Sequence, residues 1–241
     1  MGDGIYVALS GALSQQTALD TTAENLANAS TAGYQRMRPV FHEALKRAMR
    51  GQLRYETPVA TAVDTQCGTF RQTGRPLDVA MPQGVYLALQ TAQGERYTRA
   101  GSMTLSATGE LRTAGGETVL GENQKPILVD GAKGGVTIGT DGTVSQDGAA
   151  VGRLRLVKFD KPEALAHEAG ARMSATPQAG APTAASDPIQ VGAVEESNAS
   201  VVGGMTELIA ASRTFASFEK AIDAFREADR TIVTRVPTSI T

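Results

Sequence analysis

The sequence predicts an α+β protein whose N- and C-terminal helices pair as an α-helical coiled coil, with a mainly antiparallel β domain inserted between them. Three observations lead to this fold class. Apolar residues recur at helical spacing from Ser197 to Val236, a second helical pattern opens the chain, and the stretch between them alternates short β-branched runs with glycine turns. A length of 241 residues is enough for one or two domains.

The C-terminal pattern predicts a long helix with one narrow apolar seam, because its apolar residues mostly follow each other at steps of three and four. The seam consists of Val201, Met205, Leu208, Phe215, Phe218, Ile222, Phe225, Ile232 and Val236. A helix of this length extends about 50 Å at 1.5 Å per residue. Such a long helix with such a narrow seam needs a partner helix rather than a small globular core.

The N-terminal pattern predicts a partner helix from about Ile5 to Ala27, with apolar positions in a strict 4-3 alternation. Its positions are Ile5, Leu9, Ala12, Gln16, Leu19, Ala23 and Leu26. The seam is weak because three of these seven residues are small or polar. We expect the two terminal helices to pair, since neither would be stable alone in water. Two ordinary amphipathic helices that pack on a central domain are the alternative.

The first helix is predicted to end in a turn over Asn28–Tyr34. Asn28 and Thr31 compete for backbone hydrogen bonds, and Gly33 offers backbone freedom that other residues lack. Residues 36–54 then carry six basic side chains against Glu43 alone. A solvated cationic face, contact with an acidic neighbouring subunit, and nucleic acid binding all remain open for this stretch, as do a short amphipathic helix and an extended arm.

Residues 57–160 show the pattern of short strands. The predicted strands are Leu77–Met81, Val85–Leu89, Arg96–Arg99, Met103–Leu105, Thr118–Leu120, Ile127–Val129, Val136–Ile138 and Leu154–Phe159. The turns between them are predicted at Thr108-Gly109, Asp130-Gly131, Asp141-Gly142 and Asp147-Gly148, because Asp-Gly between alternating runs favours a hairpin. This spacing of strands and turns indicates an antiparallel sandwich or partial barrel.

The remaining segments complete the predicted domain organisation. The Ala/Pro-rich residues 173–188 are expected to form a linker or surface loop, and residues 189–193 a last strand. Gly203-Gly204 leaves the start of the final helix open between Val201 and Met205. We therefore predict a terminal helical domain from residues 1–35 and 197–241, a basic linker or arm at 36–56, and a central β domain at 57–196.

Candidate catalytic and metal-binding groups are few. His42 and His167 lie in segments that look polar and exposed, Cys67 is the only cysteine, and the adjacent Glu195-Glu196 pair is expected to be solvated. No zinc-binding spacing or phosphate-binding glycine motif is present. We expect no enzyme activity, no cofactor, no metal and no small-molecule substrate. The net charge of −2 also gives no indication of nucleic acid or membrane-surface binding.

The sequence also gives expectations about membranes and export. No apolar run reaches the ~18 residues that indicate a membrane-spanning helix. The first basic residue is Arg36, so we expect no cleaved secretory signal peptide.

Several motifs resemble those of the bacterial flagellar axial proteins, the rod and hook family, and they cover nearly the whole chain. They are residues 24–36 (ENLANASTAGYQR), 73–80 (TGRPLDVA), 97–102 (YTRAGS), 109–111, 119–127, 196–201 (ESNASV) and 205–215. Met103 departs from the family, which often has an aromatic residue there, and so does Gly203-Gly204. Length and a short central β region are most similar to a proximal rod subunit. A distal rod or hook-type axial protein is the alternative, and a secreted β-rich binding module is a further one.

The resemblance implies a structural subunit without enzyme activity. Family members pair their terminal helices as a coiled coil and stack them into a hollow tube that transmits torque, with the β domain outside. They leave the cell through the flagellar type III export apparatus without a cleaved signal. The implied partners are further copies of the chain, other rod proteins, the export apparatus and the membrane-embedded ring. The residues of the two seams other than Gln16 and Val236, together with Asn28, Thr31, Gly33 and Tyr34, become candidate subunit-assembly residues.

Overall fold

The computed structural model describes residues 2–41, 59–130 and 134–235. Two long helices bracket the described chain, α1 at Gly2–Ala27 and α2 at Val201–Arg235, and a short 3₁₀ helix covers Pro162–Ala164. The helix that opens the chain and the one that closes it are therefore confirmed. Helix α2 begins at Val201, so Gly203-Gly204 lies inside its first turns.

Eighteen short strands lie between the helices in the parts of the chain that the structure describes. They are β1 (Met37–Phe41), β2 (Val59–Val63), β3 (Phe70–Gln72), β4 (Val79–Ala80), β5 (Tyr86–Thr91), β6 (Gly94–Thr98), β7 (Met103–Leu105), β8 (Leu111–Thr113), β9 (Thr118–Val119), β10 (Val136–Ile138), β11 (Thr143–Gln146), β12 (Ala149–Arg153), β13 (Leu156–Lys158), β14 (Ala166–His167), β15 (Arg172–Ser174), β16 (Thr183–Ala184), β17 (Gln190–Val191) and β18 (Ala193–Glu195). Helices and mainly antiparallel sheets together make the α+β class that the sequence predicts.

The described chain divides into two units. The helical unit contains residues 2–24, 38–41, 59–61 and 202–235, and the β unit contains residues 25–37, 62–130 and 134–201. The last turn of α1 and the segment before α2 therefore belong to the β unit. Residues 42–58, which include His42 and most of the basic stretch, lie outside the described residues, whereas Met37–Phe41 is extended.

The main sheet of the β unit follows the order β14-β15-β6-β5-β9-β8-β7, and β13 pairs with both β5 and β16. Strands β10, β11 and β12 form a second antiparallel sheet. Burial of both faces around β5 explains its continuous apolar sequence, since Tyr86, Leu87, Ala88 and Leu89 are all buried. Leu87 and Leu89 belong to one core cluster, and Tyr86 and Ala88 belong to another.

The hairpin at Asp147-Gly148 is confirmed, because Gln146 pairs with Ala149 and both turn residues have positive φ, 50° and 81°. The predicted strand at Ile127–Val129 is wrong. Leu128 makes only an isolated bridge to Glu110, because this segment closes turns between strands rather than extending a ladder.

The prediction of a surface loop from residue 173 is also wrong at its start. Met173 is fully buried and pairs with Tyr97 of β6, so the sheet continues into the Ala/Pro-rich stretch. Met173 is thus a buried apolar residue in a stretch whose overall composition is typical of a loop. Within the described residues, no helix combines the length and the apolar content that a membrane crossing requires.

Candidate assembly site

The turn that ends α1 is organised by the residues that the sequence singles out. The Thr31 hydroxyl donates a hydrogen bond to the Asn28 side-chain oxygen at 3.2 Å, and the Tyr34 backbone N–H donates to the Thr31 carbonyl at 3.2 Å. The Ala29 N–H donates to the Leu26 carbonyl at 3.3 Å, which satisfies one of the carbonyls that the end of a helix leaves without a partner. The turn therefore directs the chain from α1 into an extended segment.

Gly33 is required at this turn for two reasons. Its φ of +71° lies in the left-handed region that side chains disfavour. A Cβ atom at this position would collide with the backbone of Arg99 and Ala100. The Gly33 N–H also donates to the Glu195 carbonyl at 2.8 Å. The turn is thus seated directly on the backbone of the sheet region.

Two asparagines, one near each end of the sequence, form hydrogen bonds with the extended segment 34–37. The Asn25 side chain, in the last turns of α1, donates to the Met37 carbonyl and accepts from the Met37 N–H, both at 2.8 Å. The Asn198 side-chain oxygen accepts from the Arg36 N–H at 2.6 Å, and its amide donates to the carbonyls of Asp64 and Gln66. We call this arrangement the asparagine clamp.

A buried ion pair lies beneath the turn. The guanidinium of Arg99 donates to the Glu195 carboxylate, Nε to Oε2 at 2.7 Å, and both side chains are almost completely buried. Arg99 also donates to the carbonyls of Met81, Pro82 and Val85. Each nitrogen of this buried guanidinium therefore has a hydrogen-bond acceptor, because an unpaired buried charge would be costly.

The expectation that Glu195 and Glu196 form a solvated pair is wrong for Glu195. Glu195 is the last residue of strand β18 and Glu196 follows it in the extended chain, so the two side chains point to opposite faces. Glu195 points inward, where its Oε1 also accepts from the Gly68 N–H at 3.0 Å. Glu196 points outward and pairs with the exposed Arg71 at 2.9 Å.

The expectation that His167 is exposed is also wrong. Its ring packs edge-on against Tyr34, with 4.8 Å between the ring centroids, and neither ring nitrogen has a hydrogen-bond partner. Burial lowers the pKa of His167 below its ordinary value, because the charged form would lose its hydration. The Tyr34 hydroxyl donates to Asn25 at 3.0 Å, so the histidine packs directly against the clamp.

The helical unit shows a direct contact between its two helices. A Cβ atom at Gly11 of α1 would lie only 2.5 Å from the Phe218 ring of α2, so the absence of a side chain lets the ring approach. Ala8 and Ala12 are buried on either side of this glycine. Small residues on one helix thus make room for an aromatic residue on the other.

The same unit leaves large apolar side chains exposed. On α1 these are Leu9 and Leu13, with 55% and 63% of their surface accessible. On α2 they include Val202, Met205 and Ile209, with 76%, 51% and 53% accessible. The α2 residues follow steps of three and four, so they share one face. We call these five residues the apolar stripes.

The predicted assembly residues fall into four groups. Leu9, Ala23, Val201, Met205 and Phe225 are exposed in the single chain, whereas Ala12, Gly33 and Tyr34 are buried. The others are partly buried: Ile5, Leu19, Leu26, Asn28, Thr31, Leu208, Phe215, Phe218 and Ile222. Ile232 lies in α2, but its side chain is not described, and Val236 lies outside the described residues.

Comparison with known proteins matches three segments of the chain to three flagellar family models. Residues 5–35 match a model described as flagella basal body rod protein, residues 83–146 match the flagellar hook protein FlgE/F/G D1 domain, and residues 190–235 match the flagellar basal body rod FlgEFG protein C-terminal model.

Relatives match over almost the full length of the chain. The flagellar basal-body rod protein FlgF of Escherichia coli is 38% identical, with 93% of this chain and 94% of the relative covered. FlgF of Caulobacter vibrioides is 32% identical, with 98% of each covered. The chain belongs to the flagellar basal-body rod protein family.

Among rod proteins it is most like FlgF. The rod protein FlgG of Bacillus subtilis is 29% identical, with 90% of this chain and 93% of the relative covered. This identity is lower than those of the FlgF proteins. Membership of the rod protein family also identifies the chain as a structural protein rather than an enzyme.

The rod-protein motifs contain the residues of the asparagine clamp and the arginine of the buried ion pair. Asn25 and Gly33 lie in the N-terminal motif, Arg99 in the central motif and Asn198 in the C-terminal one. The sequence alone does not predict that Asn25, Arg99, Glu195 and Asn198 come together at this site. For Asn25, Arg99 and Asn198, the available signal was their position inside motifs that are far apart in sequence.

Proposed function

We propose that the chain is a structural subunit of the proximal part of the bacterial flagellar basal-body rod. Copies assemble helically through their terminal helices into the hollow drive shaft that transmits torque. The observation that carries the proposal is the pair of apolar stripes, which expose five large side chains on two helices. A subunit whose helices are covered by neighbours has a physical reason to keep such surface.

We also infer that α1 and α2 pair along their length as a coiled coil. The close approach of Phe218 to Gly11 supports this pairing, as does the burial of Ala8 and Ala12. Paired helices of this kind would form the terminal helical domain of residues 1–35 and 197–241, with the β domain at 57–196. Assembly would then bury the predicted assembly residues that remain exposed, including Leu9 and Met205.

The proposal extends to partners and export. Other rod proteins, the flagellar type III export apparatus and the membrane-embedded ring are the proposed partners, and export proceeds without a cleaved signal. Terminal helices that gain most of their burial on docking suit this route, because they can order at the moment of assembly. A distal position in the rod is the alternative within the family.

The test replaces the wild-type chain with a Leu13→Glu/Met205→Glu variant in a motile host. Both changes place a charge in an apolar stripe while keeping good helix formers. The expected result is loss of swimming and absence of the variant from purified basal bodies, while the purified variant unfolds at the same temperature as the wild type. Normal swimming, or wild-type chain missing from basal bodies, would contradict the proposal.

The matched control is a Thr214→Glu/Ser217→Glu variant. Both positions are exposed polar residues of α2 that lie outside the seam and the apolar stripe of that helix. This variant adds the same number of charges outside the apolar stripes, and we expect it to swim normally. Equal loss of swimming in both variants would assign the defect to charge rather than to the stripes.

A further inference from the structure

The last turn of α1 is held by the β unit, although most of that helix belongs to the helical unit. Asn25 is the first residue of α1 in the β unit, and only 8% of its surface is accessible. Its side chain makes two hydrogen bonds to the Met37 backbone and accepts a third from the hydroxyl of the buried Tyr34. All of these partners lie in the β unit, so contacts within that unit fix the end of α1.

The residues that lead into α2 are fixed in the same way. The Asn198 side chain bonds to three backbone groups of other segments, and its own N–H donates to the Tyr34 carbonyl at 3.3 Å. The next residue, Ala199, donates its N–H to the Ser197 hydroxyl at 3.1 Å. Val201, the first residue of α2, also lies in the β unit. The β unit therefore sets the position at which α2 begins.

Away from the clamp, both helices have few contacts that would start a helix. None of the described side chains of α2 is buried. Gly203-Gly204 weakens the first turns of this helix further, because glycine is a poor helix former. In α1, the buried side chains described before Asn25 are all small: Ala8, Ala12, Thr21 and Thr22. Helices with so little burial are marginal in water, so the place where they start matters.

We propose that the asparagine clamp nucleates both terminal helices, so that each helix forms first at the clamp and then extends away from it. The first turn is the costly step in helix formation, because it fixes several residues for a single hydrogen bond. The folded β unit bears that cost at the end of α1 and at the start of α2. Each helix then needs only to propagate, α1 toward Gly2 and α2 toward Arg235. This inference concerns the single chain and does not depend on the proposed function.

Millisecond amide hydrogen exchange on the purified full chain measures where the helices are ordered. We expect protection to fall with distance from the clamp, by about tenfold between residues 22–26 and 6–10 of α1. A similar fall is expected between residues 205–209 and 226–230 of α2, while all helical amides exchange faster than those of β5 and β6. Maximum protection around Gly11 and Phe218, where the helices touch, would overturn the proposal, because it would place the nucleus in the middle of the pair.

Asn25→Ala and Asn198→Ala variants separate nucleation from ordinary fraying of helix ends. Alanine is a better helix former than asparagine, so propensity alone would increase protection in α1 of the Asn25→Ala variant. We expect the opposite, a decrease of about fivefold over residues 9–22, because the fixed last turn is lost. Asn198→Ala should lower protection over residues 205–215. Each variant should act about threefold more strongly on its own helix than on the other one.

The matched control is Val119→Ala, which truncates a buried side chain of β9 away from the clamp. It should lower the protection of β5, which pairs with β9, and leave α1 unchanged, since the clamp stays intact. The proposal fails if Asn25→Ala raises or does not change protection in α1. It also fails if Val119→Ala lowers α1 protection as much as Asn25→Ala does, or if each asparagine variant affects both helices equally.

Discussion

The two units of the molecule differ in how the single chain covers their polar groups and their apolar side chains. In the β unit, the Arg99–Glu195 ion pair is buried with its hydrogen bonds made, and the asparagine clamp closes over it. In the helical unit, Leu13 and Val202 remain exposed. The β unit exposes its large apolar side chains, such as Leu128, on separate short segments, whereas the helical unit exposes several of them on single helix faces that a neighbouring helix could cover.

The difference follows from the kinds of contact each unit contains. Strands from distant parts of the sequence supply the β unit with both apolar burial and specific polar partners. Two helices side by side can cover only one face of each other, and on α1 the apolar residues that are buried, Ala8 and Ala12, are small. A rod protein can use this division, because one unit keeps its fold while the other completes its burial in the assembly.

The largest effect on stability is expected from opening the buried ion pair. A Glu195→Leu change leaves Arg99 charged and unpaired in the core, which should lower the free energy of unfolding by about 3–5 kcal/mol. The neighbouring Glu196→Leu change removes only the exposed pair with Arg71 and should cost at most ~1 kcal/mol. Urea unfolding of both variants measures the difference. Similar losses would show that the burial of Glu195 contributes nothing to the stability of the β unit.

The next prediction compares the cost of a steric clash with neighbouring backbone atoms against the cost of the left-handed backbone conformation alone. Gly33 and Gly74 have nearly the same φ, +71° and +70°, but only Gly33 has backbone atoms where a Cβ would be placed. Gly74→Ala should therefore cost about 1–2 kcal/mol for the left-handed conformation alone. Gly33→Ala should cost clearly more, because the turn must also move away from Ala100. Thermal unfolding compares them, and equal losses would contradict the close seating of the turn.

A smaller effect is expected from pH through His167. Because burial lowers its pKa, the unfolded chain binds a proton near pH 6.5 while the folded chain stays neutral. Stability is therefore fully present above pH 6.5 and falls as the pH drops below it, by at most about 1.4 kcal/mol per pH unit for one proton. His167→Phe should flatten this part of the profile in unfolding curves between pH 8 and pH 5. An unchanged slope would show that His167 does not titrate as its burial requires.

The smallest effect on the single chain is expected in the apolar stripes. Leu13→Glu replaces a side chain that is 63% exposed, so the free energy of unfolding should change by no more than ~0.5 kcal/mol. The adjacent Ala12 is 7% exposed, and Ala12→Glu should destabilise the helical unit more strongly. Helical circular dichroism during heating distinguishes them. A large loss from Leu13→Glu would mean that the stripe is already covered within one subunit.

The sequence predicts the regular parts of this fold well. The extents of both helices follow from 3.6-residue periodicity, and the hairpin at Asp147-Gly148 follows from local turn chemistry. The failures share one physical cause. Glu195, His167 and Met173 look exposed or irregular by local composition, but contacts from distant segments bury Glu195, Met173 and the ring nitrogens of His167. No local pattern shows that Arg99 lies close to Glu195 across 96 residues of sequence.

The candidate assembly site is predicted only in part. The motif residues Gly33 and Tyr34 are important, but they act by seating the turn inside the β unit rather than by presenting an open surface. The helical seams point to α1 and α2 correctly. They do not separate residues such as Ala12, which is buried in one chain, from residues such as Leu9, which is left for neighbours. That distinction depends on how the helices are rotated about their axes, which small residues specify weakly.

Amide hydrogen exchange on the purified subunit and on intact rods tests the central claim most directly. We expect weak protection of Leu9–Leu26 and Val202–Ile209 in the purified subunit, strong protection of β5 and β6, and a large gain at both helical segments in the rod. Strong protection of Leu9–Leu26 in the purified subunit, with no gain in the rod, would contradict the claim that the helices depend on neighbouring subunits for their burial.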